Sequence, residues 1–308
     1  MRSFPDGNVP EHKFIEGIVV NSILASKEIN FEEKEFPFTD KDFNFIQNLV
    51  GERTGIVLSD IKRTMVYSRV VRRIRKLGVS GFTEYCRLLK DGDESELIEF
   101  TNAITTNLTS FFREPHHFEY LTKTVLPELE RKKCDKRIRI WSAGCSSGEE
   151  PYSIAMTVHN YFKNKSGWDI KILASDLDYE MVERAASGVY KEDRVTGLNK
   201  KHLNNYVKKG KGKLEGSVKM DKCLMNMITF KQLNLLHDWP IKGPFDFMFC
   251  RNVVIYFNKD TQKVLFDRYA DLLPDNAPLF IGHSESLFKV TKKFKLIGQT
   301  IYRKGNNK

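Results

Sequence analysis

The chain runs to 308 residues, 41% hydrophobic and 29% charged, the balance of an ordinary globular protein of about two domains. Its net charge of +10 asks for an acidic partner: nucleic acid, an anionic membrane or an acidic protein surface. No apolar run reaches the roughly 18 residues of a membrane span, and the start lacks the apolar core of a secretory signal, so a cytoplasmic protein that is not membrane-inserted is expected. Cys86, Cys134, Cys145, Cys223 and Cys250 are scattered without a C-x-x-C pair; they read as buried free thiols rather than a disulfide framework or a zinc site, and no metal is expected.

Residues 1–38 lack sustained periodicity and read as a mobile extension. From 40 to about 112 the pattern is helical. Phe43, Ile46, Leu49 and Val50 recur at three-and-four spacing in a helix over 39–52. Ser59-Asp60 can cap a second helix running to Leu77, which Gly78 stops. Gly81-Phe82 opens a third, and Gly92-Asp93 separates it from a fourth over 94–105. These helices make a domain over 39–115.

The texture changes after about Pro127. Residues 137–142 (R-I-R-I-W-S) alternate and carry branched and aromatic side chains, a strand signal. A small-residue turn over 143–148 leads into a helix over 149–162. A strand over 171–175 ends at Asp176 and is followed by a helix over 179–187. Residues 245–250 form a buried-type strand, 261–273 a helix, 278–282 a strand, and 294–303 a hairpin around Gly298. Alternating strands and helices predict a mainly parallel α/β sheet over 116–308. Residues 189–230 interrupt the alternation with a short helix, a Gly/Lys loop and a period-two stretch over 217–224, and read as a small β-rich insertion.

The turn W-S-A-G-C-S-S-G (141–148) joins a strand to a helix, which sets backbone N–H groups and a positive helix end beside a ligand in the sheet's crevice. It is neither G-x-G-x-x-G nor a phosphate loop, and a purely structural tight turn reads equally well. Asp176 ends the next strand, where a carboxylate can accept two hydrogen bonds from ribose hydroxyls or cap the following helix. G-H-S-E-S (282–286) lacks the second glycine of a nucleophile elbow. Adjacent His116 and His117 point in different directions on a helix and read as packing or surface residues.

Five longer strings resemble motifs of the chemotaxis receptor glutamate O-methyltransferase family: N-L-T-S-F-F-R-E-P-H-H-F (107–118), W-S-A-G-C-S-S-G-E-E-P-Y-S (141–153), A-S-D-L-D (174–178), C-R-N-V-V-I-Y-F (250–257) and G-H-S-E-S (282–286). Together they cover about residues 40–303. The resemblance implies a class I S-adenosylmethionine-dependent methyltransferase domain of Rossmann-like α/β fold, carrying a small β-subdomain and preceded by an all-helical domain. It implies that Asn107, Thr109, Arg113, Glu150, Asp176, Asn234, Leu235, Arg251 and Asn252 contact S-adenosylmethionine, and its product S-adenosylhomocysteine. The partner it implies is the cytoplasmic domain of chemotaxis receptors, whose glutamates would be methyl-esterified in adaptation. Some members also dock a receptor's C-terminal peptide on the β-subdomain, and the 217–224 stretch is expected to offer an open sheet edge for one.

The residue types suit this chemistry. Arg113 can pair with the cofactor carboxylate, Glu150 with its ammonium and Asp176 with its ribose diol. An acceptor glutamate, with a reference pKa of about 4.3, is already ionised near neutrality and needs no general base. Alignment of the reacting atoms then carries catalysis, and Arg113 and Tyr256 are the candidates to orient the acceptor. For Tyr256 a core aromatic role stands beside this one.

The helix ending at Gly78 carries basic residues without an acid. Lys62, Arg69, Arg72, Arg73 and Lys76 share one face, expected to bind the acidic receptor surface, and Val66, Val70, Ile74 and Leu77 share the inward face. A nucleic-acid methyltransferase would suit the charge, but the N/D-P-P-Y/F string of base amino-methylation is replaced by R-N-V-V-I-Y (251–256). A non-catalytic adaptor is opposed by the intact cofactor motifs. Nothing signals an oligomer, and a monomer is expected.

Overall fold

A computed structural model describes residues 35–105 and 107–305. The extension expected over 1–38 lies almost wholly outside them. Residues Phe38–Lys308 form one compact unit.

The chain enters through α1 (Asp40–Thr54), whose Thr39 and Asp42 form a reciprocal capping box and whose end is turned by Gly55 in the left-handed region. A 3₁₀ turn over Asp60–Lys62 precedes α2 (Arg63–Leu77). Ser59 makes no side-chain cap there, so the expected cap is absent and Lys62 falls before the helix proper. Then come α3 (Phe82–Lys90) and α4 (Glu94–Ile104), the latter capped by the Asp93 carboxylate. Phe43, Ile46, Val66, Val70, Ile74, Phe82, Tyr85 and Phe100 fill the core of this bundle.

Next stand α5 (Pro115–Tyr120) and α6 (Leu126–Lys132), joined by a π turn, and then the alternation begins. Strand β1 (Arg137–Ala143) leads to α7 (Glu149–Phe162), β2 (Asp169–Asp176) and α8 (Tyr179–Ser187). The insertion contributes β3 (Val189–Lys191), α9 (Lys200–Tyr206), β4 (Val207–Lys209), β5 (Ser217–Met220) and α10 (Lys222–Met225). The main sheet resumes with β6 (Ile228–Gln232) and β7 (Phe247–Cys250), then α11 (Lys259–Leu272), β8 (Pro278–Ile281) and the hairpin β9 (Phe294–Gly298) and β10 (Ile301–Lys304).

Seven strands lie in the order β6-β2-β1-β7-β8-β10-β9, parallel from β6 to β8 and antiparallel at β10 and β9. The pleat sends alternate side chains to two cores. Ile138, Ile140, Phe247, Phe249 and Phe280 pack with Phe118, Tyr152 and Phe162 on one face. Trp141, Met248, Cys250, Leu279 and Ile281 pack with Leu265, Phe266 and Tyr269 of α11 on the other. With both faces covered, β7 and β8 are buried throughout, as parallel strands require.

Three expectations need correction. Ile228–Gln232 pairs in parallel with β2, so the insertion's last residues belong to the large sheet. The 217–224 stretch is no open edge: β5 is the middle strand of a sheet ordered β3-β5-β4, and its end turns into α10 because Asp221 caps a helix there. Among the described residues the edges are β3 and β4. Of the cysteines, Cys86, Cys145 and Cys250 are buried, but Cys134 is exposed and Cys223 only half-buried.

Arg73 is the fourth correction. It stands two helical turns beyond Val66, on the buried stripe of α2 rather than its solvent face. Its guanidinium grips both oxygens of the buried Glu96 at 3.0 and 2.5 Å and reaches Glu99 at 2.5 Å, while the Tyr85 hydroxyl donates to the same Glu96. Removing one partner of such a pair strands a buried charge. Arg73→Ala should therefore lower unfolding free energy by about 3–5 kcal/mol, read by denaturant titration; a loss under about 1 kcal/mol would place Arg73 among ordinary surface cations.

Candidate functional site

The sheet changes direction of winding between β1 and β7, and a crevice opens outside the carboxyl ends of these strands, where α/β sheets hold ligands. A cavity of about 280 Å³ occupies it. Its floor is the β1 turn (Gly144, Ser146), the end of β2 (Asp176, Leu177) and the segment after β7 (Arg251, Asn252, Val253, Tyr256). Its roof comes from the helical part of the chain: Thr54, Ile56, Leu58, Lys62 and Met65. All ten motif residues named from sequence line it: Asn107, Thr109, Arg113, Glu150, Asp176, Asn234, Leu235, Arg251, Asn252 and Tyr256.

The turn after β1 is held by Gly144 and Cys145, whose amides donate to the Ser175 carbonyl at 2.7 and 2.9 Å. Gly144 has φ 81°, and a Cβ there would meet Val253 Cγ2 at 2.2 Å, so this position needs glycine twice over. Asp176 accepts from the Ser146 amide at 2.7 Å and the Asp178 amide at 3.0 Å. Burial outweighs these donors and pushes its carboxyl up to about 6. Capping of α8 falls instead to Asp178, which accepts from the Met181 amide and from the Asn107 side chain at 2.8 Å.

Beneath the cavity lies an ionic node. The Arg251 guanidinium, only 2% exposed, stands 3.4 Å from Glu114 and 3.4 Å from Glu150 and donates to the Arg113 carbonyl at 2.5 Å. Glu150 also accepts from the Ser142 hydroxyl at 2.7 Å. Burial raises the Glu150 pKa, with Arg251 opposing. Glu114 is held below the usual carboxylate range by Arg251 and by the amide and ring of His283, which outweigh its burial. Among the described residues Arg251 Nε and Glu114 Oε2 carry no hydrogen bond, leaving polar capacity beside the cavity.

The loop after β7 is shaped by a residue that sequence reasoning left without a role. Glu285 accepts from the amides of Asn252, Val253, Val254 and Ile255 at 2.9, 2.9, 2.9 and 3.3 Å, and from Gly282 at 2.5 Å. The G-H-S-E-S string is thus a carboxylate staple, and its signal was the Gly-x-x-Glu spacing. Arg194 was missed as well. From the insertion it reaches the fully buried Glu149 and the Thr109 carbonyl, tying the insertion to the cavity wall.

Of the expected basic stripe, Lys62 lies in the cavity wall with its ammonium 5.0 Å from the Tyr256 ring centre, and burial, then Arg69, lowers its pKa. Arg69 is half-buried, donating to the Ile104 and Thr105 carbonyls at 2.5 and 2.8 Å, where it caps α4. Arg72 and Lys76 are exposed. The insertion is a second basic surface, with Lys191, Lys200, Lys201, Lys208, Lys209, Lys211, Lys213, Lys219 and Lys222 all exposed. A charge count by segment would have found it.

His116 and His117 do not diverge as expected: a ring nitrogen of each lies within 3.3 Å of the Gln299 carbonyl. His117 is buried against Phe280, and burial drops its pKa to about 3, so it is neutral. Glu114, His116 and His117 bring ligand-type atoms within 4.8 Å of one another, but the Arg251 cation against Glu114 opposes a divalent ion there.

Comparison with known families matches residues 41–105 to "CheR methyltransferase, all-alpha domain" and residues 107–303 to "CheR methyltransferase, SAM binding domain". A chemotaxis protein methyltransferase of Escherichia coli (strain K12) is 43% identical over 267 residues, 86% of this chain and 91% of the relative. A probable chemotaxis protein methyltransferase of Rhizobium etli is 43% identical over 262 residues, 83% of this chain and 96% of the relative. Among the described residues no helix is long and apolar enough to cross a membrane.

Proposed function

This chain belongs to the CheR methyltransferase family, an S-adenosylmethionine-dependent methyltransferase serving chemotaxis, and from that premise we propose that it forms methyl esters on glutamate side chains in the cytoplasmic region of chemotaxis receptors. The observation that carries the reading is the single cavity that gathers Arg113, Glu150 and Asp176 under a roof bearing Lys62. These groups match a zwitterionic amino acid joined to a ribose, with a cationic wall left for an anionic acceptor. The reading places the protein in the cytoplasm, as a monomer.

The donor set fits the cofactor. Asp176 would accept from the ribose hydroxyls, Arg113 would pair with the carboxylate, and the ammonium would share Glu150 with Arg251. Asn107, Thr109, Asn234, Leu235, Arg251 and Asn252 complete the enclosure. When bound, S-adenosylmethionine supplies an activated methyl group. The protein's part is then to hold a carboxylate oxygen on line and to exclude water. Arg113 and Lys62 face the cavity as cations able to orient that carboxylate, and the Tyr256 ring stands in the same wall, 5.0 Å from the Lys62 ammonium.

Exposed Arg72 and Lys76 on α2, with Arg69 behind them, offer the acidic receptor surface a complementary field. A receptor's C-terminal peptide would find its edge at β4, which runs into the Gly210-Lys211-Gly212 loop, with the insertion's exposed lysines around it.

Transfer of labelled methyl from S-adenosylmethionine to a receptor cytoplasmic fragment tests the reading, with a base-labile ester expected. Label found only in nucleic acid, or none transferred, would overturn it. In the same assay Arg72→Glu with Lys76→Glu should lower kcat/KM at low ionic strength and approach wild type as salt screens the field. Equal rates at low salt would make α2 a solvated face.

Asp176 sets the pH dependence of cofactor binding. Its raised pKa means that the ionised, ribose-accepting form is lost as pH falls through about 6. Affinity by calorimetry should therefore be about tenfold weaker at pH 5 than at pH 7. Asp176→Ala should cost ~1.5–3 kcal/mol, ten- to hundredfold, at pH 7 and flatten that slope. Unchanged affinity in the folded variant would remove Asp176 from the site.

A further inference from the structure

The positive charge of the chain is not spread evenly. Residues 189–230 hold nine lysines and one arginine against four acids, so more than half of the net +10 falls within the insertion. The arginine, Arg194, is turned inward to Glu149 and the Thr109 carbonyl. All nine lysines are exposed. Two of them have acids at hand: Lys208 stands 2.9 Å from Asp221 and Lys209 3.6 Å from Glu192. Among the described residues Lys191, Lys211, Lys213, Lys219 and Lys222 make no ion pair.

The register of the three-stranded sheet gathers this charge. Lys219 of the middle strand lies opposite Lys208 on β4 and Val189 on β3, and Ser217 lies opposite Lys191. Alternation puts these side chains on the outer face, while Tyr190, Val218 and Met220 are buried in the core. Like charges directly opposite one another weaken an antiparallel pair, so Lys208 and Lys219 are a cost that folding alone does not explain. The β4–β5 hairpin is closed by Gly210, whose amide donates to the Ser217 carbonyl at 2.8 Å. At its tip Leu214, beside Lys213, is 63% exposed.

Nucleic acid and anionic lipid are the two extended polyanions that such a surface meets, and the residue types choose between them. Recognition of phosphates and bases favours the planar, bidentate guanidinium, and the insertion has no arginine free for it. A lysine is a hydrated point charge that answers to a diffuse field. A bilayer of anionic lipids supplies that field, and beneath its headgroups an apolar layer for a leucine among lysines. None of these residues lines the cofactor cavity, so a surface held here leaves the crevice free.

We propose that the outer face of the β3-β5-β4 sheet and the tip of its hairpin form a peripheral docking surface for an anionic lipid bilayer. Lys191, Lys208 and Lys219 lie against the headgroups, and Leu214 enters the boundary beneath them. The contact is reversible and salt-sensitive, because a few lysines and one leucine make no permanent anchor. It goes beyond the receptor reading and requires neither receptor nor cofactor.

Sedimentation of the full chain with vesicles, without receptor or cofactor, tests it. At ~0.05 M salt the protein should bind phosphatidylcholine vesicles carrying ~30 mol% phosphatidylglycerol but not phosphatidylcholine alone, and ~0.5 M salt should release it. Lys191→Glu with Lys219→Glu should weaken that binding about tenfold or more. Cofactor affinity and Tm should hold, since the second change sets an acid opposite Lys208. Arg72→Glu with Lys76→Glu alters net charge equally and should weaken binding by less than about threefold. Leu214→Ser should weaken it about fivefold. No sedimentation with the anionic vesicles at low salt, or equal losses from the α2 pair and the insertion pair, would overturn the proposal. So would unchanged vesicle binding in Leu214→Ser, or duplex DNA bound more tightly than the vesicles, which would make the face a nucleic-acid surface. Methyl transfer to a receptor fragment is scored separately, and its absence speaks only against the functional reading.

Discussion

One buried carboxylate organises the site. Glu285 gathers five backbone amides, four of them successive along the turn after β7 and one from its own strand end at Gly282. Successive N–H groups converge when the chain turns from the left-handed region into a 3₁₀ turn, and Asn252, at φ 59°, leads here into the turn over Val254–Tyr256. A Cβ on Gly282 would come within 2.4 Å of the Asn252 side chain, so glycine there lets the two segments close. Burial raises the Glu285 pKa while the amides oppose it, the balance expected of an acid enclosed by donors. Loss of this staple would release Asn252, Val253 and Tyr256 together.

What the staple holds in place is Arg251. Its guanidinium links the 107–114 segment, the start of α7 and the end of β7 through Glu114, Glu150 and the Arg113 carbonyl. Two carboxylates around one arginine leave a net negative centre when both are ionised, and neutral His117 adds nothing to balance it. A cofactor ammonium would complete the charge. Buried ion networks of this kind contribute little to stability by themselves and owe their value to position. Arg73 with Glu96 and Glu99 does the same service for the helical roof.

Elements were largely legible in the sequence because they are local. Helices 149–162 and 179–187 and the strands flanking them follow from periodicity, small turns and caps. The motif residues were legible through resemblance, and the cavity gathers them. What escaped depends on contacts distant in sequence. Arg73 reads as part of a basic stripe until Glu96 and Glu99 are packed beside it. The period-two stretch at 217–224 marks a strand, which holds over its first four residues, but nothing in it says that strands form on both sides. Glu285 and Arg194 act on backbone groups about 30 and 85 residues away, and Lys62 enters the cavity only because a 3₁₀ turn precedes α2. Periodicity reports a residue's face; it is silent on what meets that face.

The Glu285 staple, acting through backbone alone, sets the positions of the groups proposed to hold the cofactor. The most direct measurement is a calorimetric titration of S-adenosylmethionine into Glu285→Gln, beside its unfolding curve. The amide keeps one acceptor oxygen but turns its NH₂ against amides that need an acceptor. Cooperative unfolding is expected, with a cofactor Kd weakened by roughly tenfold or more. A cooperatively folded variant that binds the cofactor as tightly as wild type would contradict it.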